Sequence, residues 1–400
     1  MSVEKPDCLQ NKFEVQKKLL MSAGMANMSA RVRAAMICPL LPHSDPQLHR
    51  ILTEIADGIR YTFQTNNRHT FAISGPACLA FETAISNLLE PGSKILVVVH
   101  GVDGERLAET SKNLNYKLIR LNVPKAGELV ELTFIENTLT QYKPKVLFLC
   151  HGDTSSGTLQ PLRGIGALCH KNDCLFMVDV SATLCCAPIA MDQMNIDVMI
   201  SDTQYALGLS PGLSLMSFNS QAVNVIEKRD NNRISYSMNF NRLIQSWGQS
   251  EDRQFVYHYT PSVSLLYALR ESLAQVVEEG LDKMIARHIK FSVIAQKEFT
   301  KIGLKFVVED ENKRLTSVLV IQVPDQIKRD AIIDYLYKHY DIVISAGVPP
   351  LDQVWRIGFF GQNASRSPVK ILTTVFKEAI DVALRNPKNK PSLSTPSVLQ

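Results

Sequence analysis

The chain lacks a long block of like charge, an uninterrupted apolar run of membrane-spanning length and any Cys-x-x-Cys spacing. Its formal net charge is +4 at pH 7 with 20% charged residues, so no basic surface for nucleic acid is expected. The apolar stretch 148–180 is interrupted by His151, Asp153, Arg163 and Asp173, which argues against a bilayer span. The first ten residues hold acids and Pro6 instead of an apolar signal core or an Arg-rich transit pattern. The chain ends in Ser397-Val398-Leu399-Gln400, not in a peroxisomal address. The expectation is a cytoplasmic protein with no membrane or nucleic-acid partner. The eight cysteines lie mostly in apolar stretches and read as reduced thiols. The nine histidines form no His-x-x-x-His pair, so no protein metal site is expected. One further absence matters later: no lysine lies between Lys171 and Lys228.

What is present is an alternation of apolar strands and helix-length segments. With 400 residues and 45% hydrophobic content, the chain can bury a large core and divide into two domains. Residues 1–28 read as an irregular N-terminal arm. Leu48, Ile51, Leu52, Ile55, Ile59, Tyr61 and Phe63 have helical spacing. Apolar runs then recur at 71–73, 94–99, 117–121, 146–150, 174–178, 198–200 and 213–218. Strands without polar alternation, separated by helices, predict a mostly parallel sheet covered on both faces. Chemistry in such sheets gathers beyond the carboxyl ends of the strands, here in the loops after Val99, Cys150, Val178 and Ile200. A long helical stretch over 262–302 leads into a second α/β unit. The expected division is 1–28 arm, 29–280 large domain, 281–385 small domain and 386–400 disordered tail, the last from its Pro, Ser, Lys and Asn content.

Several loops carry a resemblance. They are His151-Gly152-Asp153-Thr154-Ser155-Ser156-Gly157, Met177-Val178-Asp179-Val180-Ser181, Ser201-Asp202-Thr203-Gln204-Tyr205, Val256-Tyr257-His258-Tyr259-Thr260-Pro261 and Trp355-Arg356-Ile357-Gly358. In this order the chain resembles the class V aminotransferases, closest to the alanine–glyoxylate (serine–pyruvate) and insect 3-hydroxykynurenine branch. The resemblance covers roughly residues 20–385. It implies the type I pyridoxal-phosphate-dependent transferase fold: a large domain with a mostly parallel seven-stranded sheet and a smaller C-terminal α/β domain. It also implies cofactor contacts at Thr154, Asp179 and Gln204, with Asp179 against the pyridine nitrogen. Tyr257 and Thr260 match positions that reach a partner subunit's phosphate. Arg356 matches the clamp for a substrate carboxylate, a task suited to a two-pronged guanidinium.

The departures from that pattern cluster in the cofactor pocket. The family's Ser-Gln-Lys is Thr203-Gln204-Tyr205, so Tyr205 takes the place of the Schiff-base lysine. A phenol forms no imine, and at an ordinary pKa near 10 it is neutral at pH 7. Losing a general acid–base group costs about 10²–10⁴-fold in rate. Asp103 replaces the aromatic residue that stacks on the cofactor ring, and Asp202 replaces a glycine. Pro76 and Cys78 replace the serine and histidine of the phosphate loop, and Pro76 lacks an N–H. Pyridoxal phosphate is therefore expected to bind weakly or not at all. The expected function is an aminotransferase-fold pseudoenzyme. It would act as a homodimer or as partner of an active paralogue, or bind a small amino acid. The alternative is an active transaminase that uses the cofactor non-covalently.

Overall fold

The computed structural model describes residues 3–229 and 234–385, so the tail expected over 386–400 lies outside the described residues. Seven strands form the large sheet: β1 (His69–Ser74), β2 (Lys94–Val99), β3 (Lys117–Asn122), β4 (Val146–Cys150), β5 (Leu175–Asp179), β6 (Val198–Asp202) and β7 (Leu213–Phe218). Their order is β1-β7-β6-β5-β4-β2-β3. All neighbours run parallel except β7, which is antiparallel to both β1 and β6.

Every residue of β4, β5, β6 and β7 is buried, which is why these segments show no polar alternation. The edge strand β3 reads differently, with Lys117 and Asn122 exposed and Arg120 at the surface. Charged side chains on an edge discourage pairing with another chain. Helix α1 (Pro46–Phe63) starts at Asp45, whose side chain accepts from the Gln47 amide, with Pro46 in the first turn. It buries Leu48, Leu52, Ile55, Ile59 and Phe63, while Ile51 is half-buried and Tyr61 faces solvent.

The stretch expected as one helix over 262–302 is two. Gly280, at φ 88°, divides α2 (Val263–Glu279) from α3 (Leu281–Lys301). A left-handed backbone favours glycine there. Arg287 spans the break, donating from Nε to Glu279 Oε1 (2.6 Å) and from Nη2 to Oε2 (2.8 Å). It also donates to the carbonyls of Gly361 and Ala364.

Beyond α3 a second core forms around a three-stranded antiparallel sheet, β8 (Val318–Gln322), β9 (Ser345–Val348) and β10 (Leu351–Gly358), in the order β8-β10-β9. Helices α4 (Arg329–Tyr340) and α5 (Arg366–Arg385) pack on it, with Trp355, Phe359 and Phe376 fully buried. The N-terminal segment is not wholly irregular. Leu19–Leu20 pairs parallel with Ile342–Val343, and Met21 is fully buried in this second core. Two residues of strand are too few to show periodicity, so sequence pattern alone gives no signal for them. Among the described residues no helix is long and apolar enough to cross a membrane.

Candidate functional site

Parallel strands β2, β4, β5 and β6 end at the same edge of the large sheet, and each end delivers an acid there. Asp179 closes β5 and Asp202 closes β6. Asp153 follows β4, in the loop after Cys150. Asp103 lies in the first turn of the helix Val102–Asn113 that follows β2. The acids turn inward: Asp153, Asp179 and Asp202 are buried, and Asp103 keeps about 24% of its side-chain surface.

Three of the four spend their oxygens on internal donors. Asp153 Oδ1 accepts from the Ser155 amide (2.9 Å) and hydroxyl (2.6 Å), and from the Ser156 amide (2.7 Å) and hydroxyl (2.9 Å). Asp179 Oδ1 accepts from the Ser181 amide (2.9 Å) and hydroxyl (2.6 Å). Ser181 Oγ in turn accepts from the Asp202 amide at 2.9 Å, linking the ends of β5 and β6. Asp202 Oδ1 accepts from Ser214 Oγ (2.9 Å), and Oδ2 accepts from Gln204 Nε2 (2.8 Å). Asp103 pairs with Arg106 at 2.8 Å, a contact near the surface.

Burial raises Asp103, Asp179 and Asp202, and repulsion between acids adds to it at the first two. Asp103 is pushed up to about 6, chiefly by burial and then by the charge of Asp153. Asp179 is pushed up to about 8 by burial and by Asp103. Burial also raises Asp202, opposed by its hydrogen bonds from Gln204 and Ser214. The Tyr205 phenol sits in the field of the same acids. Burial first, then Asp103, Asp202 and Asp179, hold it far above the usual phenol range, so it is neutral. Its ring meets Phe360 edge-on, with centroids 5.1 Å apart. Gln204 Oε1 is buried without a hydrogen-bond partner among the described residues.

Arg356, half-buried on β10, brings a positive charge to this cluster from the second core. It donates from Nε to the Ala346 carbonyl at 2.8 Å and from Nη1 to the Thr154 carbonyl at 3.5 Å. No carboxylate among the described residues lies within ion-pair distance of it. Burial lowers its pKa, while the charges of Asp153 and Asp103 act the other way.

The structure thus brings together Thr154, Asp179, Gln204, Tyr205, Asp103, Asp202 and Arg356. Pro76 caps the helix Ala77–Leu88 without a side-chain bond, and Cys78 is exposed in its first turn. Tyr257 and Thr260 stand apart on an exposed segment, their hydroxyls 3.0 Å from each other and the Tyr257 ring 4.4 Å from that of His43. The sequence pattern missed Asp153 and Phe360. Asp153 could have been found as the acid just beyond an apolar strand; nothing local marks Phe360. Among the described residues no group of three or more His, Cys, Asp or Glu side chains could hold a metal ion.

The fold is the α/β fold of pyridoxal-phosphate-dependent aminotransferases. The sequence profile of the aminotransferase class-V family matches residues 29–357, and the chain belongs to that family. It is 38% identical over 389 residues to alanine–glyoxylate aminotransferase of Mus musculus, covering 97% of this chain and 93% of the relative. The enzyme of that name from Drosophila melanogaster is 34% identical over 384 residues, covering 95% and 96%. The crystal structure of alanine–glyoxylate aminotransferase from Nostoc sp. superposes with a TM-score of 0.89 at 31% identity, covering 94% of this chain and all of that one.

The raised acids make a prediction about stability. The unfolded chain loses the Asp179 proton near pH 4, whereas the folded chain holds it to about pH 8. Asp179 therefore withdraws stability as pH rises across that window. Asp179→Asn is expected to match the parent near pH 4 and to exceed it increasingly towards pH 8, by at least about 1 kcal/mol. Thermal melts of both proteins across that range measure the difference.

Proposed function

We propose that this chain is an aminotransferase-fold protein that has lost ordinary transamination and keeps its pocket for a free amino acid. One observation carries the reading: a neutral, half-buried Tyr205 among three acids, at the position that matches the family's lysine. The family is pyridoxal-phosphate-dependent, so fit to that cofactor is the test. A phenol offers no amine for the covalent link. No lysine lies in the sequence between Lys171 and Lys228 to replace it. Asp202 engages the Gln204 amide that would otherwise face a phosphate. Asp103, in place of a stacking ring, adds negative charge beside Asp153. On these observations the residues do not fit the cofactor, and no step is derived through it.

The same residues suit a zwitterion. Arg356 has no carboxylate partner of its own and can take one from a ligand. The acids opposite it favour an ammonium group. Tyr205, packed edge-on against buried Phe360, supplies an apolar face beside them. The wild-type chain is expected to form no glycine from alanine and glyoxylate when supplied with cofactor. Tyr205→Lys alone is expected to stay well below full activity, since Asp103, Asp202 and Pro76 remain. Alanine, serine or kynurenine should bind at millimolar concentration by calorimetry, and Arg356→Ala should abolish that binding. Wild-type turnover, or no binding of any of these amino acids, would sink this reading.

The exposed Tyr257–Thr260 pair supports a second role, completing the site of an active paralogue in a mixed dimer. Co-purification of such a paralogue with the tagged chain is the expected result. A strict homodimer in cells contradicts it.

A further inference from the structure

We propose that Asp202 is a resident acceptor: its carboxyl group takes the Ser214 and Gln204 donors beside the start of the helix Ala77–Leu88 and so closes them to an external phosphate group. The inference deepens the reading of a pocket that rejects its family's cofactor, and rests on it. Three segments converge on this one side chain. Ser214 Oγ from β7 reaches Oδ1 at 2.9 Å, and Gln204 Nε2 from the following loop reaches Oδ2 at 2.8 Å. The amide of Ala77, first residue of the helix, also favours the charged form of the same carboxylate.

A helix N-terminus presents unpaired amides and a positive dipole end, and it accepts anions readily. Here the helix has 12 residues, and its cap, Pro76, supplies no side-chain acceptor. Pro76 also has no N–H to donate. The preceding Gly75 amide is already spent on the Gly212 carbonyl at 2.9 Å. Beside the helix start, the side-chain donors Ser214 Oγ and Gln204 Nε2 are both taken by Asp202.

The carboxylate is also held in place. Asp202 is the last residue of β6, paired in register with Ser214 of β7. Its amide donates to Ser181 Oγ at 2.9 Å. Ser214 Oγ, with one proton shared between Asp202 Oδ1 at 2.9 Å and the Gly75 carbonyl at 2.8 Å, ties the strand ends to the loop before the helix. A side chain fixed at a buried strand end cannot swing out to admit a second anion. A phosphate group arriving there would find its donors engaged and an acid in their place, with Asp103 close enough to influence the same pocket. Like charges in a partly buried site repel strongly.

The test uses the full chain and inorganic phosphate as probe, read by isothermal calorimetry. The wild type is expected to show no saturable binding up to millimolar phosphate. Asp202→Gly should vacate the donor set and tighten phosphate binding at least tenfold. Asp202→Asn, which keeps the shape but removes the charge, should fall between the two. If the glycine variant does not fold by thermal melt, the asparagine variant decides by the same comparison with wild type. Folded variants that bind phosphate no better than wild type overturn the proposal, as does submillimolar binding by the wild type. Transamination by the wild type would defeat the proposed function but leaves this readout intact, because no cofactor or amino acid enters the titration.

Discussion

The pocket depends on one electrostatic constraint: four carboxylates, three of them buried, gather at the ends of parallel strands. Parallel β2, β4, β5 and β6 send their carboxyl ends to one edge, so acids that are far apart in sequence become neighbours. Burial there raises the proton affinity of Asp103, Asp179 and Asp202, and neighbouring acids add to it at Asp103 and Asp179. The protein copes in three ways. It surrounds Asp153 with serine donors, brings Arg106 to Asp103, and leaves Asp179 with its proton up to about pH 8.

Tyr205 belongs to that solution. A lysine at this position would bring a compensating positive charge into the cluster. The phenol brings none, but its ring packs on Phe360 and against the large core, which stabilises the loop by apolar contact. The loss of a cation and the gain of acids thus act together. Asp202 shows the outcome most plainly: a buried carboxyl group sits on donors that could otherwise serve a ligand.

Much of the fold was legible in the sequence because burial on both faces leaves a simple mark. The apolar runs 146–150, 174–178 and 198–200 became three adjacent central strands, shifted by a residue or two at their ends. Gly280 was harder to interpret, since a glycine within helical periodicity can be tolerated or can break the helix. Here a left-handed φ and the Arg287–Glu279 fork make it a break. For the site, Asp179, Gln204, Tyr205 and Arg356 were legible through motif order. Asp153 carried only one signal, an acid just beyond an apolar strand, which an ordinary turn also gives; the packing of Gly101 and the Ser155–Ser156 donors against it fixes its place. Nor could the sequence show that Asp103 and Asp202 point inward, since direction depends on which donors the fold brings to meet them.

The central claim is that this pocket, on a class V aminotransferase scaffold, no longer accepts pyridoxal phosphate. The direct measurement is an absorbance titration of the purified wild-type chain with that cofactor, followed by borohydride treatment and intact-mass analysis. The account predicts only the spectrum of free cofactor and no adduct in the pocket. A saturable yellow band that borohydride removes, leaving a lysine-linked cofactor, would contradict it.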